Sequence, residues 1–285
     1  MTIQQQPGPV LVIGAGGKTG ARVADGLMAR GVAVRRASRS GPTPFDWTAP
    51  GSWDGALIGA HAAYISYYPD LAVAGARQIV GRLIDRALAH GVRRLVLLSG
   101  RGEEEAMRTE RLLQDSGADW TILRASWFAQ NFSESFLLDG VRAGEILLPA
   151  TSGIARVQEP FLDIDDLAEA AVASLCEPGH VHRLYEVTGP RGLTFFEAAE
   201  ALSQTVGQPV RITLVPPEAY RDGALAQGVP SEIVDLILYL FGTILDGRNS
   251  APADGIFQAL GRAPTDFQTY LAKTATSGIW QARAA

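Results

Sequence analysis

The sequence predicts an α/β protein built on a doubly wound parallel sheet, with a smaller, mostly helical lobe at its carboxyl-terminal end. From residue 10 to about 125, short apolar runs alternate with segments whose apolar residues recur at helical spacing. From about Gly144 the apolar runs shorten, and proline and glycine become more frequent. We therefore expect a main domain over 8–150 and a lobe over 151–285, with elements around 161–176 and 185–188 returning to the main domain.

Spacing and turn residues predict the individual elements. Residues 10–13 are apolar and lead into a glycine cluster, and Val23, Leu27 and Met28 mark one face of a helix over 19–30 that Gly31 ends. The same reasoning predicts strands at 32–37, 62–66, 95–98, 120–123, 161–164, 185–188 and 210–215, and helices at 73–90, 103–114, 165–175 and 194–206. Residues 230–245 are a strongly apolar segment of the helical lobe.

The first strand, glycine turn and helix together predict a Rossmann-type dinucleotide site. Gly14 permits the tight turn, Gly16 or Gly17 allows close approach of a pyrophosphate, and Gly20 allows the helix to pack against the strand. The helix N-terminus attracts phosphate, to which Lys18 and Thr19 add a charge and a hydroxyl. The strand before the glycines and the helix after them favour a bound nucleotide over a plain turn.

The end of the second strand selects the cofactor. An acidic residue there would bind the ribose hydroxyls of NAD, but this chain has Ser38, Arg39 and Ser40 instead. A guanidinium between hydroxyls suits a 2′-phosphate, so we predict NADP(H). Asp46 and Trp47, after the third strand, either border the adenine or simply pack.

Further candidates follow the ends of the later strands, where ligands of parallel sheets bind. Tyr67 and Tyr68 follow the fourth strand and are candidates for the cofactor wall or the substrate site. Ser99 and Gly100 close the fifth strand, and Arg101 follows as a candidate to stabilise a phenolate, bind phosphate or remain a solvated charge.

Composition argues against several other functions. A net charge of -5 gives no electrostatic case for nucleic-acid binding, and the single cysteine, Cys176, excludes an internal disulfide. His180 and His182 are the only close histidine pair, and we interpret them as part of a surface loop rather than a metal site. No signal peptide or membrane-length apolar run is present, so we expect a cytoplasmic protein without membrane contact. Homo-oligomerisation stays open.

The chain lacks the Tyr-x-x-x-Lys motif, in which a lysine lowers the pKa of a tyrosine proton donor. The only lysines are Lys18 and Lys273, and no tyrosine precedes either by four residues. Reduction of a ketone builds an alkoxide that needs such a donor, whereas an iminium needs none and a quinone needs less help. The absence therefore points away from simple ketones.

Several motifs resemble the NmrA-like branch of the atypical short-chain dehydrogenases/reductases. The resemblance covers most of the chain, and is strongest over 10–190. The matching segments are 14–20, 37–40, 45–47, 95–99, 121–124, 127–132 and 161–166. Within the branch they look most like festuclavine and agroclavine dehydrogenases, which reduce an imine or iminium with NADPH. The branch also contains quinone reductases and catalytically silent NADP sensors.

The resemblance implies roles for individual residues. It implies cofactor contacts for Gly14, Gly17, Lys18, Thr19, Gly20, Arg39 and Ser99, and it puts Trp127, Phe128 and Asn131 beside the nicotinamide or substrate. The aromatic candidates Tyr67, Tyr68, Trp127 and Phe128 suit a flat or cationic ligand, although some of these rings are expected to be core. Tyr67, Arg101 and Asn131 are the catalytic candidates.

We therefore predict an NADPH-dependent reductase of a conjugated small molecule, either quinone-like or an imine/iminium. The alternative from another class is an NADP(H) sensor that binds a protein partner and turns nothing over. A third hypothesis is an isomerase that uses the cofactor transiently. Only hydride transfer consumes NADPH, so cofactor oxidation separates the first hypothesis from the other two.

Overall fold

The structure is a computed structural model that describes residues 8–281. The chain forms two compact units. The first, the sheet unit, comprises the residues up to Arg124 together with Asp165–Glu186 and Ile256–Gly261. The second, the lobe unit, comprises Ala125–Ile164, Val187–Gly255 and the residues from Arg262 onward.

The elements follow the predicted alternation of strand and helix. The strands are β1 (Val10–Ile13), β2 (Val34–Ser38), β3 (Thr43–Pro44), β4 (Ala62–Ile65), β5 (Arg94–Gly100), β6 (Asp119–Ala125), β7 (Glu145–Pro149), β8 (Arg183–Val187) and β9 (Arg211–Val215). The helices are α1 (Lys18–Ala29), α2 (Trp53–Leu57), α3 (Ala76–Ala89), α4 (Glu104–Asp115), α5 (Asn131–Glu134), α6 (Leu138–Ala143), α7 (Ile164–Cys176), α8 (Phe195–Val206), α9 (Pro217–Ala226), α10 (Ser231–Tyr239), α11 (Gly255–Leu260) and α12 (Phe267–Ala275). A π-helical turn, Leu240–Ile244, extends α10.

The seven-stranded parallel sheet has the order β3-β2-β1-β4-β5-β6-β8, which confirms the Rossmann-type fold. β1 pairs in parallel with β2 on one side and with β4 on the other, so the strand order reverses at β1. In open parallel sheets the ligand crevice lies at such a reversal, beyond the carboxyl ends of the strands. The loops after β1, β2, β4 and β5 therefore form the expected site.

Burial explains why the central strands are continuously apolar. All four residues of β1 and of β4 are buried, as expected for strands of a parallel sheet that is covered on both faces. Trp53 of α2 is fully buried in the same core, together with Leu83 and Ile84 of α3. This core holds the strand ends in fixed positions.

The lobe unit has an aromatic core of its own. Phe132, Phe161 and Phe195 meet edge-to-face or at a tilt, with ring centroids 5.2–6.1 Å apart. β7 and β9 pair in parallel and form a separate two-stranded sheet in this unit. The predicted strand at 161–164 is wrong, because Leu162 makes only an isolated bridge to Phe128 and Ile164 already begins α7. The Gln130 side chain accepts the Ile164 N–H (2.9 Å), which takes that group away from any strand pairing.

A capping box begins α8. The Thr194 hydroxyl accepts the backbone N–H of Glu197 (3.1 Å), and the Glu197 carboxylate accepts the backbone N–H of Thr194 (2.7 Å). Thr194→Ala should lower the free energy of unfolding by about 1 kcal/mol, measured by urea denaturation. Thr205→Ala in the same helix is the control, because its hydroxyl only bonds back to the Ala201 carbonyl (2.9 Å) and alanine favours helix. Equal losses in both variants would contradict the capping role.

Candidate functional site

The glycine turn after β1 has the geometry that close packing requires. Gly14 has φ +78°, a left-handed conformation that favours glycine, and a Cβ on Gly20 would lie 2.2 Å from the Gly14 carbonyl oxygen. Gly20 must therefore be glycine for α1 to approach β1. Gly16 and Gly17 are exposed, and a Cβ built on Gly16 would meet, apart from its chain neighbours, only Ser38 Cβ (3.9 Å) among the described residues within 4 Å. The turn thus presents bare backbone on its open side.

Helix α1 begins at this turn without a side-chain cap. Its N-cap residue is Gly17, no side chain accepts an N–H there, and its first turn contains no acidic residue. An uncapped helix N-terminus carries a partial positive charge and binds anions. Thr19 is 6% exposed and faces the buried Tyr64 hydroxyl, where burial raises the pKa of the phenol. The Thr19 side chain therefore points into the fold, whereas Lys18 is half-buried at the start of the helix.

The end of β2 lies against the glycine turn. The Gly14 and Ala15 N–H groups donate to the Ala37 carbonyl at 3.1 and 3.2 Å, which holds the turn beside Ser38. Arg39 and Ser40 are both exposed. The Arg39 guanidinium lies 5.7 Å from the centroid of the Tyr68 ring, a cation–π contact, and it forms no salt bridge within the described residues.

The two arginines before this segment are used elsewhere in the sheet unit. Arg35 donates to the carbonyls of Ala56 (2.7 Å) and Ile58 (2.6 Å), so it caps the carboxyl-terminal end of α2. Arg36 pairs with Asp25 on α1. Among the three arginines near the end of β2, Arg39 is the one whose position suits an incoming phosphate.

Aromatic side chains connect the ends of β3 and β4. Trp47 meets Tyr67 edge-on, with ring centroids 4.8 Å apart, and Phe45 at 5.0 Å. Tyr67 is half-buried and packs against Trp47, whereas Tyr68 is 61% exposed and its ring contacts Arg39. Burial raises the pKa of Tyr67, and neither lysine of the sequence is positioned by a Tyr-x-x-x-Lys spacing to lower it.

Asp46 accepts hydrogen bonds that stabilise the loop containing Trp47. Its Oδ1 accepts the backbone N–H and the hydroxyl of Thr48, both at 2.8 Å, and the N–H bond is the main reason that the pKa of this carboxyl is lowered. Its carbonyl accepts the Trp53 indole N–H at 2.8 Å. These contacts fix the turn on which Trp47 sits.

A chain of charges lies at the ends of β5 and β6. The Ser99 hydroxyl donates to Glu110 Oε1 at 2.6 Å, and Glu110, which is 1% exposed, accepts from Arg124 Nε at 3.0 Å. Arg124 also donates to Glu186 (3.0 Å), which in turn accepts from Arg101 Nε at 3.1 Å. Arg101 is thus ion-paired rather than a solvated loop charge, and the proton of the Ser99 hydroxyl is committed to Glu110.

Two carboxyls that the sequence did not single out lie beside this chain. Asp70 follows β4, and Glu103 is the N-cap residue of α4 immediately after β5, yet its carboxyl makes no capping bond. Burial raises the pKa of both carboxyls, and the charge of Asp70 raises the pKa of Glu103 further. A Cβ on Gly100 would lie 2.1–2.4 Å from the Glu103 carboxyl atoms, so the bare backbone of Gly100 makes room for that group.

The remaining candidates belong to the lobe unit. Trp127 is half-buried and packs edge-on against Phe195 (5.3 Å) and Phe241 (4.9 Å), which identifies one face of the ring as core. Phe128 is half-buried, and its backbone bridges to Leu162. Asn131 begins α5 and donates its backbone N–H to the Phe128 carbonyl at 3.1 Å.

The histidine pair lies in the loop between α7 and β8, as predicted, and His182 is exposed there, but His180 is buried. His180 is 7% exposed, and its Nδ1 lies 2.9 Å from the Tyr185 hydroxyl, while burial lowers the pKa of the imidazole. Among residues 8–281, no group of three or more histidine, cysteine or acidic side chains could hold a metal ion. Within the same residues, no helix has both the length and the apolar character to cross a bilayer.

Sequence comparison finds relatives among reductases, although no family model matches the chain. The chain is 27% identical over 203 residues to an NAD(P)H azoreductase of Xenophilus azovorans, covering 68% of this chain and 69% of that protein. It is 23% identical over 291 residues to the agroclavine dehydrogenase of Claviceps fusiformis, covering 96% and 99% of the two chains.

Solved structures share the fold over nearly the whole chain. An NADPH-dependent quinone oxidoreductase of Escherichia coli, complexed with NADPH, matches with a TM-score of 0.72 at 20% identity, covering 93% of this chain and 99% of that chain. Nmra, a negative transcriptional regulator in complex with NAD, matches with a TM-score of 0.67 at 16% identity, covering 96% and 98%. These structural matches bear on the fold alone. The relatives bear out the resemblance to reductases such as agroclavine dehydrogenase that the motifs indicated, and the solved structures show the shared fold.

Proposed function

We propose that this chain is an NADPH-dependent reductase that transfers hydride to a conjugated small molecule, either quinone-like or an imine/iminium. The general activity, that of an NAD(P)H-dependent oxidoreductase, follows from relatives that are named reductases and from the NADPH-bound neighbour of the same fold. The observation that carries the finer proposal is the open glycine turn beside Arg39, in a fold without a tyrosine–lysine pair.

The described residues fit a dinucleotide. Exposed Gly16 and Gly17 leave backbone accessible at the uncapped N-terminus of α1, where a pyrophosphate would bind. Arg39, exposed and without a salt bridge within 8–281, would bind a 2′-phosphate, because no acidic residue at 38–40 disfavours it. NADPH supplies the hydride when bound, and the chain's residues bind and orient it.

The acceptor is inferred from what the site lacks. The helix after β5, α4, carries no tyrosine, and burial raises the pKa of Tyr67, which makes that phenol a poorer acid. Ser99 donates its proton to Glu110 rather than to a substrate. An acceptor whose reduced form is a stabilised phenolate, or one that begins as a cation, therefore suits this site better than a simple ketone.

The test is NADPH oxidation by the purified protein against a panel of quinones, cyclic imines and simple ketones, with NADH in parallel. We expect turnover with a quinone or an imine, slower use of NADH, and no turnover of ketones. Turnover of ketones would contradict the acceptor class. Tight NADPH binding without turnover of any acceptor would contradict the reductase and favour an NADP(H) sensor, and product without net NADPH consumption would favour an isomerase.

A further inference from the structure

The two-stranded sheet of the lobe unit borders an open groove. β9 pairs with β7 along one edge, from Arg211 opposite Glu145 to Val215 opposite Pro149. A groove of about 730 Å³ lies between α8 and the segment 207–212, which leads into β9. Phe196 of α8 lines this groove and is 38% exposed. An apolar groove beside a strand edge is a surface on which another extended chain can bind.

The backbone of β9 shows which of its residues face α8 and the groove. The Arg211 N–H donates at 2.9 Å to the carbonyl of the residue that precedes β7, so Arg211 directs its backbone groups to β7. Val210 points the other way, because its N–H donates to Ser203 Oγ of α8 (2.8 Å) and its carbonyl oxygen lies 3.2 Å from the same atom. Since backbone groups of successive strand residues point to opposite edges, Ile212 and Leu214 face the same side as Val210.

The backbone groups on this edge of β9 are unpaired beyond Val210. Within the described part of the chain, no hydrogen bond reaches the outward N–H and carbonyl groups of Ile212 and Leu214. An unpaired strand edge can pair with a further strand, and a charged residue commonly prevents this. The one charge on β9 is Arg211, at its beginning. The edge is therefore open to strand addition.

This edge is complementary to itself. When β9 runs antiparallel to a second β9 about a two-fold axis at Thr213, Ile212 of one copy lies opposite Leu214 of the other. Each outward N–H and carbonyl then has a partner, and apolar side chains meet apolar side chains. Arg211 lies opposite Val215 in this register, so no like charges face each other.

The charges that line the groove are balanced. Glu200 lines it from α8 and Arg211 from β9, both are exposed, and neither forms a salt bridge within residues 8–281. A groove with one charge of each sign does not select a strongly acidic or basic peptide, whereas a second copy offers an acid for each arginine and a base for each glutamate. The charge pattern therefore favours a second copy of this chain.

We propose that the open edge of β9 is a homodimer interface, at which two copies of this chain join their two-stranded sheets into one continuous sheet. Strand pairing sets the register of the interface, and the second copy fills the groove and covers Phe196. The contact uses the lobe unit alone, so it goes beyond the proposed reductase activity and does not depend on it.

The first measurement is the mass of the full chain by analytical ultracentrifugation across a range of concentrations. We expect a dimer of twice the 30.3 kDa chain mass that dissociates on dilution. Ile212→Pro removes an N–H that has no partner within one chain, so each copy should fold while the dimer dissociation constant rises about 10- to 100-fold. Ile212→Ala is the control, because it removes the same side chain, keeps the N–H and should weaken the dimer less. Equal weakening by the two variants would contradict backbone pairing at this edge.

A cysteine at the two-fold axis tests the register. Opposite residues of a non-hydrogen-bonded antiparallel pair have Cα atoms about 4.5 Å apart, a distance that a disulfide spans. Thr213→Cys, made together with Cys176→Ser to remove the single native cysteine, should therefore form a disulfide-linked dimer under air. Leu147→Cys in the same background is the control. Leu147 is exposed and pairs with Thr213 from β7, one strand away from the joined edge, so this variant should stay unlinked.

The remaining outcomes each overturn the interface. A monomer at every concentration would do so, and would leave the edge to an extended segment of another protein. A dimer that keeps its affinity in Ile212→Pro and forms no disulfide in Thr213→Cys would mean that the two copies meet elsewhere. Equal cross-linking of Thr213→Cys and Leu147→Cys would indicate random collision in place of a fixed register. None of these measurements uses NADPH, so failure of the interface and failure of the proposed reductase are separate results.

Discussion

Replacing Gly20 with alanine should lower NADPH affinity about 100-fold or more, because a shift of about 1 Å in a binding group can cost that much. The added Cβ would lie 2.2 Å from the Gly14 oxygen, 2.7 Å from the Gly14 carbonyl carbon and 3.0 Å from the Ala15 nitrogen. All three are backbone atoms, so no rotamer change relieves the collision, and α1 must move away from β1. The variant should also lose about 1–3 kcal/mol of stability.

Gly55→Ala is the control for this substitution. Gly55 lies in α2 of the same sheet unit, and a Cβ there meets no heavy atom within 4 Å. Alanine favours helix over glycine by about 0.5–1 kcal/mol, so this variant should be as stable as wild type or slightly more so. Tryptophan fluorescence titration with NADPH and urea denaturation measure both effects. If Gly20→Ala bound NADPH as tightly as Gly55→Ala, the pyrophosphate would not bind at this turn.

The glycine turn is the part of the site that can be predicted from the sequence. Its constraints are local, because Gly14, Gly20 and the strand between Val10 and Ile13 specify one another within a few residues. Periodicity likewise locates most helices, since a buried face repeats along the segment itself. The prediction of a strand at 161–164 was wrong because a short apolar run has no periodicity of its own. Nothing in such a run reveals whether another extended segment pairs with it.

The contacts among the charged residues at the strand ends could not be predicted from the sequence. Arg101 was an open choice between phenolate, phosphate and solvent, and its partner Glu186 lies 85 residues further along the chain. Glu103 stands in a run of three acids at the start of a helix, where favourable interaction with the helix dipole is the ordinary explanation. Its distinguishing feature is a buried carboxyl beside the bare backbone of Gly100, where the charge of Asp70 raises its pKa, and this exists only when β4 and β5 are neighbours.

Arg39→Ala should weaken NADPH binding about 10- to 100-fold and leave NADH binding nearly unchanged. A hydrogen bond to a charged group contributes about 1.5–3 kcal/mol, and only NADPH offers a 2′-phosphate to this guanidinium. Arg39 is exposed and rests 5.7 Å from the Tyr68 ring centroid, so its removal leaves no buried partner unsatisfied. The loss should shrink as salt is added, because an exposed ion pair is screened.

Arg36→Ala removes the same charge three residues earlier and separates local contact from net charge. Arg36 pairs with Asp25 on α1, so its loss should leave the preference for NADPH over NADH as in wild type. Isothermal titration of both cofactors with both variants gives four affinities, of which only the affinity of Arg39→Ala for NADPH should fall markedly. If Arg39→Ala lowered the affinity for NADPH and for NADH equally, this arginine would contact a part that both cofactors share, or would support folding. A loss of preference in Arg36→Ala as large as in Arg39→Ala would assign the preference to the general basic character of β2.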